Sequence, residues 1–428
     1  MKIKTNYEKV IYILFVFVFS LIIYFRNVLN INIPIIITTA LIFIYAVISK
    51  ESIAVILAFL IPFSSAIQGN YIVLMFIIMY LFRKKGKIKI EKNFFLLIII
   101  FIIELINCFN DYSNIKEYIT FILTLLLMYL IIYDNYDNNE KLSIIKNNIL
   151  GICLSTFIYV LKTFKNVSIS NFITYHYRLG LSKLSATFEG YNLSYNANEI
   201  ALYALLGISL LTFLKNKNRI KNYIFYPTLS FFIIIGVLSQ SRAFLLGLIF
   251  YLMLFICTNI KNIRKLIIIT IGTICSIIII YSFNANFFDN IISNYESRFD
   301  TTDITGGRTK NYVKYHNVIF SSTYKMLLGS GSQNYTIKNN IVGASHNATQ
   351  ELFICWGLIG GVSFIIILFT YLKQSKSKYK YSLEYYLPLI SLLFMVQTIP
   401  FISQGIIILL IYVVLAPFGL YNSEGGIK

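Results

Sequence analysis

The chain has 428 residues, of which 57% are hydrophobic and only 13% are charged, whereas an ordinary soluble domain carries about a quarter charged residues. Together with a mean hydropathy of +0.72, this composition excludes a soluble globular protein. The formal charge of +19 does not indicate nucleic-acid binding, because the basic residues lie between apolar segments instead of forming one basic face.

The apolar segments predict an all-α, polytopic membrane protein that forms a single integral membrane domain over 1–428. A helix of about 20 apolar residues crosses a bilayer core, and it satisfies its own backbone groups there. The third and fourth segments are short, and Pro62 and Gly69 lie near their junction. One alternative is that the two segments form a re-entrant pair. The number of spans is then twelve instead of fourteen. The predicted spans are 10–25, 33–49, 52–63, 70–82, 94–109, 117–133, 147–163, 197–214, 222–239, 243–259, 266–282, 351–372, 384–400 and 404–420.

The basic clusters predict the orientation of these spans. They lie at 83–92, 215–221, 261–265 and 373–380. Counting from a cytoplasmic N-terminus places all four on the cytoplasmic side, as the positive-inside rule requires. Both termini are then cytoplasmic. No small-residue cleavage site follows the first apolar run, so we predict that it is a span and not a signal peptide.

Two predicted outward loops, 164–196 and 283–350, are much longer than the usual connections between helices. They contain all three histidines, His176, His316 and His346. Because long loops often carry function, we expect the chemistry of the protein to lie on this side.

Several common chemistries lack support in the sequence. The five cysteines lie in or beside apolar segments without paired spacing, which predicts neither a disulfide framework nor a metal site. There is no P-loop, no dinucleotide-binding fingerprint and no HExxH motif. We therefore expect neither a metal nor a cofactor.

Candidate site residues occur at the outward ends of spans and in the long loops. Arg242 closes the sequence Ser-Gln-Ser-Arg from 239 to 242. A snorkelling anchor is one explanation for this arginine. Because the positive-inside rule does not account for an outward arginine, the alternative is a guanidinium that binds phosphate oxygens.

The second long loop contains Gly-Gly-Arg ending at Arg308, Gly-Ser-Gly at 329–331 and Ser-His-Asn at 345–347. The glycines are explained either by a functional motif or by turns and close helix approach. His346 is either a solvated loop residue or a proton acceptor, since an unperturbed imidazole titrates near neutral pH.

The first long loop contains Arg178 and runs into a helix through Asn198 and Glu199. Asn198 is either the N-cap of that helix or a functional side chain. Glu104 lies within a predicted span, and an intramembrane carboxylate is a functional candidate by default. Pairing with an arginine is its alternative role.

Together these motifs, over roughly 176–365, resemble the O-antigen ligase and polymerase superfamily, which includes bacterial capsule and exopolysaccharide repeat-unit polymerases. The resemblance implies a metal-independent glycosyltransferase of the C-type (GT-C-like) fold. Its donor would be an undecaprenyl-diphosphate-linked oligosaccharide. The matching catalytic positions are His346, Arg242 and Arg308, and the matching substrate-binding positions are Arg178, Asn198, Ser241 and Asn347. Tyr312 and Ala197 depart from the family pattern, where relatives often have tryptophan and proline.

The resemblance favours a polysaccharide polymerase at the outer face of the bacterial cytoplasmic membrane. Such an enzyme joins lipid-linked repeats, and its expected partners are membrane lipids, a flippase and a chain-length regulator. A ligase that transfers the glycan to lipid A-core or to a protein is one alternative. A flippase or transporter is another, but transporters place their polar residues near the bilayer midplane, whereas here they concentrate on the outward side.

Overall fold

The computed structural model of this protein describes residues 6–84, 88, 90–110, 114–168, 171–172, 177–180, 192–259, 289, 292–293, 295–296, 308–341, 345–378, 382–403 and 405–420. Within these ranges the secondary structure is helical and contains no strand. The predicted all-α class is therefore confirmed for this part of the chain.

In its described residues, the first half of the chain forms the following α-helices. They are α1 (Asn6–Asn27), α2 (Ile35–Ile48), α3 (Ile53–Leu60), α4 (Gly69–Lys84), α5 (Phe94–Phe109), α6 (Ile115–Tyr133), α7 (Asn138–Asn166) and α8 (Ala197–Asn216). A 3-10 helix, Ile61–Ala66, continues α3.

The second half contributes further helices. They are α9 (Asn222–Leu238), α10 (Arg242–Asn259), α11 (Arg308–Ile319), α12 (Thr323–Leu328), α13 (Tyr335–Lys338), α14 (Ala348–Lys378), α15 (Leu387–Met395) and α16 (Leu410–Leu415). Short 3-10 helices flank the last two, at Leu383–Tyr385, Val396–Thr398, Gly405–Leu409 and Ala416–Gly419.

Five helical segments in the described residues are long and apolar enough to cross a membrane: Tyr7–Asn27, Ile115–Tyr133, Asn138–Asn166, Ala197–Asn216 and Ala348–Ser375. Seven shorter apolar helical segments accompany them. The protein is thus a multi-pass helical membrane protein. Every predicted span coincides with a helical segment except 266–282, which lies outside the described residues.

The core of the bundle forms where α3 packs against α7. Every side chain of α3 is buried. Gly151 of α7 makes the approach close, because a Cβ at that position would lie 2.3 Å from the carbonyl oxygen of Phe59. Asn148 also donates from its side chain to the carbonyl of Ala58 at 2.9 Å. A short buried helix is thus fixed along its length by its neighbour.

The Gly-Ser-Gly motif at 329–331 packs against a break in α14. Gly357 has φ 61° and ψ −168°, which interrupts the helix. A break leaves carbonyls of the preceding turn without helical partners. The amides of Ser330 and Gly331 donate to two of them, on Ile354 and Cys355, at 2.8 and 2.9 Å. Turn formation and close approach therefore explain this glycine motif.

Ion pairs and a charged hydrogen bond join the helix ends that the span count assigns to the cytoplasm. Lys84 lies 2.6 Å from Asp134, and Lys217 pairs with Glu384. Arg83 donates to the carbonyl of Ser49 at 2.9 Å. Ends separated by up to 168 residues therefore meet as the count predicts. Which membrane face they occupy stays a prediction.

Candidate functional site

A cavity of about 920 Å³ opens among the helix ends that the span count places outward. Its wall combines the 3-10 helix after α3, the starts of α4 and α8, one face of α6, parts of both long loops and the chain before α16. The lining residues are Ser64, Ser65, Ile67, Gly69, Asn70, Thr120, Thr124, Arg178, Gly180, Ser194, Tyr195, Asn196, Ala197, Asn198, Glu199, His346, Gly405, Ile406 and Ile407. Both predicted long loops thus contribute to one site.

Arg178 reaches the cavity because the short segment around it docks on the turn between α9 and α10. Its Nε donates to the carbonyl of Ser239 at 3.2 Å, and the amide of Leu179 donates to Leu238 at 3.0 Å. In return, the side chain of Gln240 donates to the carbonyl of Tyr177 at 3.1 Å. The Arg178 side chain is therefore positioned by the backbone hydrogen bond of Leu179 and by the hydrogen bond of its own Nε.

Asn196, not Asn198, caps α8. The side chain of Asn196 accepts from the amides of Asn198 and Glu199, and the carboxylate of Glu199 accepts from the amide of Asn196 at 3.0 Å. This reciprocal pair is a capping box. The capping role that the sequence left open for Asn198 is therefore wrong, and the Asn198 side chain is available for other contacts.

Asn198 connects three elements at the cavity wall. Its side-chain oxygen accepts a hydrogen bond from the hydroxyl of Ser241 at 2.8 Å, and its side-chain nitrogen lies 3.4 Å from the carbonyl of Thr398. Ser241 is fully buried behind Asn198. The two predicted substrate-binding residues therefore touch, with Asn198 facing the cavity and Ser241 supporting it.

Arg242 directly follows Ser241 as the first residue of α10 and is half-buried. It does not line the cavity. Arg308 is the first residue of α11, but its side chain lies outside the described part of the protein. The predicted roles of both arginines toward diphosphate stay predictions.

His346 lines the cavity from a strained position before α14. Its φ of 49° is uncommon for a residue with a side chain, and such backbone strain concentrates at functional sites. On either side the chain is anchored: Ser345 is buried, and Asn347 accepts from the amide of Gln350 at 2.9 Å. Asn347 thus has the contacts of a helix cap and does not line the cavity.

Tyr195 ties the first long loop to the far wall. Its hydroxyl donates to the carbonyl of Pro62, and burial raises the pKa of Tyr195 well above its usual value. The phenol is therefore neutral at physiological pH and serves as a hydrogen-bond donor. This contact fixes the distance between the 3-10 helix and the start of α8.

Glu104, the intramembrane carboxylate identified in the sequence, has structural hydrogen-bond partners. Glu104 accepts from the amide and hydroxyl of Ser332, at 3.1 Å each, and from the indole of Trp356. No ion pair between Glu104 and an arginine is found among the described residues. These contacts anchor the chain after Gly-Ser-Gly to α5.

Glu351 anchors another turn. It accepts from three consecutive backbone amides, of Phe401, Ile402 and Ser403, at 2.5 to 3.1 Å. With its oxygens engaged in this way, Glu351 holds the connection that precedes the cavity-lining Gly405 and Ile406. Neither Glu104 nor Glu351 lines the cavity.

Sequence reasoning missed several uncharged polar residues that line the cavity. Asn70 of α4 and Thr120 and Thr124 of α6 face the cavity. These types occur in many membrane helices, so nothing in the sequence distinguishes them before α4 and α6 are placed together. In the described part of the chain, no group of three or more His, Cys, Asp or Glu residues is arranged to hold a metal ion.

Comparison with models of known protein families gives no match, and neither does comparison with curated proteins. The fold and cavity themselves define a polytopic helical membrane protein with a polar site at one end of its helix bundle.

Proposed function

We propose that this protein is a glycosyltransferase that joins glycans carried on polyprenyl diphosphate, as a polysaccharide polymerase. The observation that supports it is the meeting of Arg178 and His346 in one cavity. These residues come from the two different long loops and are 168 positions apart in the chain. The sequence motifs suggested the same chemistry.

The proposed reaction breaks the bond between the anomeric carbon and the phosphate oxygen of the donor. The electron pair leaves with the lipid diphosphate, while the acceptor hydroxyl forms the new glycosidic bond and gives up its proton. A fixed guanidinium stabilises the charge that builds on the departing diphosphate. His346 accepts the proton, a role typically worth about 10²–10⁴-fold in rate.

Arg178 is the arginine best supported for the diphosphate, because it lines the cavity. Arg242 adjoins Ser241, whose hydroxyl supports the cavity residue Asn198. Arg308 begins the helix α11 within the second long loop. In the proposal these two arginines approach the donor when it is bound, and Asn198 and Asn347 act near the substrate or the histidine loop.

The proposed location is the bacterial cytoplasmic membrane, with both termini cytoplasmic and the cavity opening outward. A flippase would deliver the undecaprenyl-diphosphate-linked repeats to that face, and a chain-length regulator would act on the growing product. The ends that carry the basic clusters lie opposite the cavity in the span count, which fits this orientation.

Purified protein in detergent, incubated with radiolabelled lipid-linked repeat, tests the proposal directly. We expect longer lipid-linked chains and release of lipid diphosphate. Unchanged donor after prolonged incubation, with folded protein, would contradict it and favour the flippase alternative. Transfer that occurs only when lipid A-core or a protein acceptor is added would identify the ligase alternative.

A deletion of the gene provides the corresponding test in cells. Loss of the polymerase leaves single repeats on the lipid carrier. Loss of a ligase leaves full-length unattached polymer. An unchanged surface glycan would contradict both activities.

A further inference from the structure

One wall of the cavity carries neutral polar side chains. It is formed by the 3-10 helix after α3 and by α4 and α6, and it includes Ser65, Asn70, Thr120 and Thr124. None of these side chains is ionised at any physiological pH. The titratable groups that line the cavity, Arg178, Tyr195, Glu199 and His346, come from other segments. The cavity therefore has a neutral polar wall in addition to its charged elements.

The local hydrogen bonds give this wall a defined polarity. The hydroxyl of Thr120 donates to the carbonyl of Lys116 at 2.8 Å, and the hydroxyl of Thr124 donates to the carbonyl of Thr120 at 2.8 Å. Each hydroxyl has one proton and two lone pairs. Because the protons are used inside α6, both oxygens keep only acceptor lone pairs. Thr120 is half-buried and offers its oxygen to the cavity, whereas Thr124 is fully buried.

Hydrogen-bond donors are found next to α6, on neighbouring segments of the wall. The hydroxyl oxygen of Ser65 accepts from the amide of Ser194 at 3.0 Å, which leaves its proton to donate elsewhere. The amide of Asn70 offers both an acceptor and donors. The wall therefore combines fixed acceptors with donors and carries no charge.

We propose that this wall is a subsite for a neutral sugar ring, with Thr120 accepting a hydrogen bond from a sugar hydroxyl. The proposal rests on the proposed function and deepens it by assigning the glycan, as distinct from the diphosphate, to particular residues. A sugar ring carries several hydroxyl groups that both donate and accept, which matches a wall of mixed polarity. A phosphate, which only accepts and is charged, does not match an acceptor oxygen.

Apolar residues complete the subsite. Ile406 and Ile407, from the 3-10 helix before α16, line the same cavity. The C–H faces of a sugar ring can pack on such side chains, while a few placed polar groups fix its orientation. Tyr195 holds the distance between this wall and the start of α8, through its bond to Pro62. The subsite is thus part of the rigid frame.

The test replaces Thr120 by valine, which keeps the branched shape and removes the acceptor oxygen. Thr228→Val is the matched control, because Thr228 donates to Ile224 at 2.7 Å in the same way but does not line the cavity. Thr120→Ser restores a hydroxyl and should recover the wild-type behaviour. Melting temperatures in detergent confirm that each protein is folded.

KM for the donor lipid and KM for the acceptor are measured separately, with binding of the free neutral oligosaccharide followed by saturation-transfer NMR. Loss of the Thr120 acceptor should raise one KM about two- to tenfold and weaken oligosaccharide binding similarly. Binding of undecaprenyl diphosphate without sugar should be unchanged. A higher donor KM assigns the subsite to the donor sugar, and a higher acceptor KM assigns it to the acceptor sugar.

Unchanged KM values and unchanged oligosaccharide binding in the folded Thr120→Val variant would overturn the subsite, while transfer by wild-type protein would leave the proposed function intact. Conversely, oligosaccharide binding that depends on Thr120 in a protein without transferase activity would support the subsite and overturn the proposed function. The two proposals therefore fail on different measurements.

Discussion

The hydroxyl of Ser241 donates to the side-chain oxygen of Asn198 at 2.8 Å, joining the turn between α9 and α10 to the start of α8. This bond fixes the orientation of the Asn198 side-chain amide at the cavity wall. Ser241→Ala should therefore lower turnover about two- to tenfold, the usual effect of losing one neutral hydrogen bond. Ser230→Ala is the control, because Ser230 is an exposed serine on α9. Turnover equal to that of wild type at matched protein amounts would remove Ser241 from the supporting contacts.

Arg178→Lys should reduce turnover by about 10²-fold, since an ammonium cannot reproduce the planar fork of a guanidinium toward phosphate oxygens. Arg219→Lys, at an exposed position on the opposite side by span count, should have little effect. Initial rates with labelled donor lipid provide the measurement. Near-normal rates for Arg178→Lys would transfer the diphosphate role to Arg242 and Arg308.

His346→Ala should abolish transfer and leave binding of the donor lipid nearly intact, because the guanidinium and the cavity wall still hold the donor. His316→Ala is the matched control, since His316 is exposed on α11 and contacts Phe320. Donor binding and turnover are measured on the same purified samples. Turnover within a few-fold of wild type would exclude proton acceptance by His346.

Gly357→Ala should destabilise the protein by roughly 2–5 kcal/mol, because its backbone geometry is nearly restricted to glycine and the new methyl group would be crowded. The added Cβ would lie 2.3 Å from the backbone of Leu327. Gly405→Ala isolates the backbone effect, since Gly405 also has positive φ but no atom lies within 4 Å of a Cβ there. Melting temperatures should fall much further for Gly357→Ala, and equal losses would contradict the steric contribution.

Reporter fusions test the predicted sides. Fusions near Lys87, Lys217 and Lys376 should report cytoplasm, and fusions near Ser170 and Thr302 should report the outside, as the four basic clusters require. A cytoplasmic signal at Thr302 would place His346 away from an outward donor and contradict the proposed mechanism.

Hydropathy predicted the positions of the described spans well, and α5 matches its predicted range of 94–109. It missed the first turns of α7, which begins at Asn138 and not at 147. Those turns combine the apolar Leu142, Ile144 and Ile145 with charged and polar residues, which lowers their mean hydropathy. The Asp137–Glu140 capping box, visible as Asp-x-x-Glu, marks the true start.

The candidate site was predicted only in part. Arg178, Asn198 and His346 meet as the outward loops suggested. The contacts of Glu104 join it to a residue 228 positions away, and no local pattern encodes such a pairing. The helices α11 to α13 were predicted as loop because they are short and mixed in polarity, and short helices owe their stability to tertiary packing.

The contacts of Glu104 also limit how the segment 308–341 could be transplanted into another helical membrane protein. Besides its bonds to α14, this segment reaches the bundle through Ser332, whose amide and hydroxyl meet a carboxylate on α5. A chimera that receives this loop must also offer that carboxylate, and without it the graft would bury an amide and a hydroxyl with no acceptor. Loop swaps should therefore be designed with α5 as part of the transplanted unit.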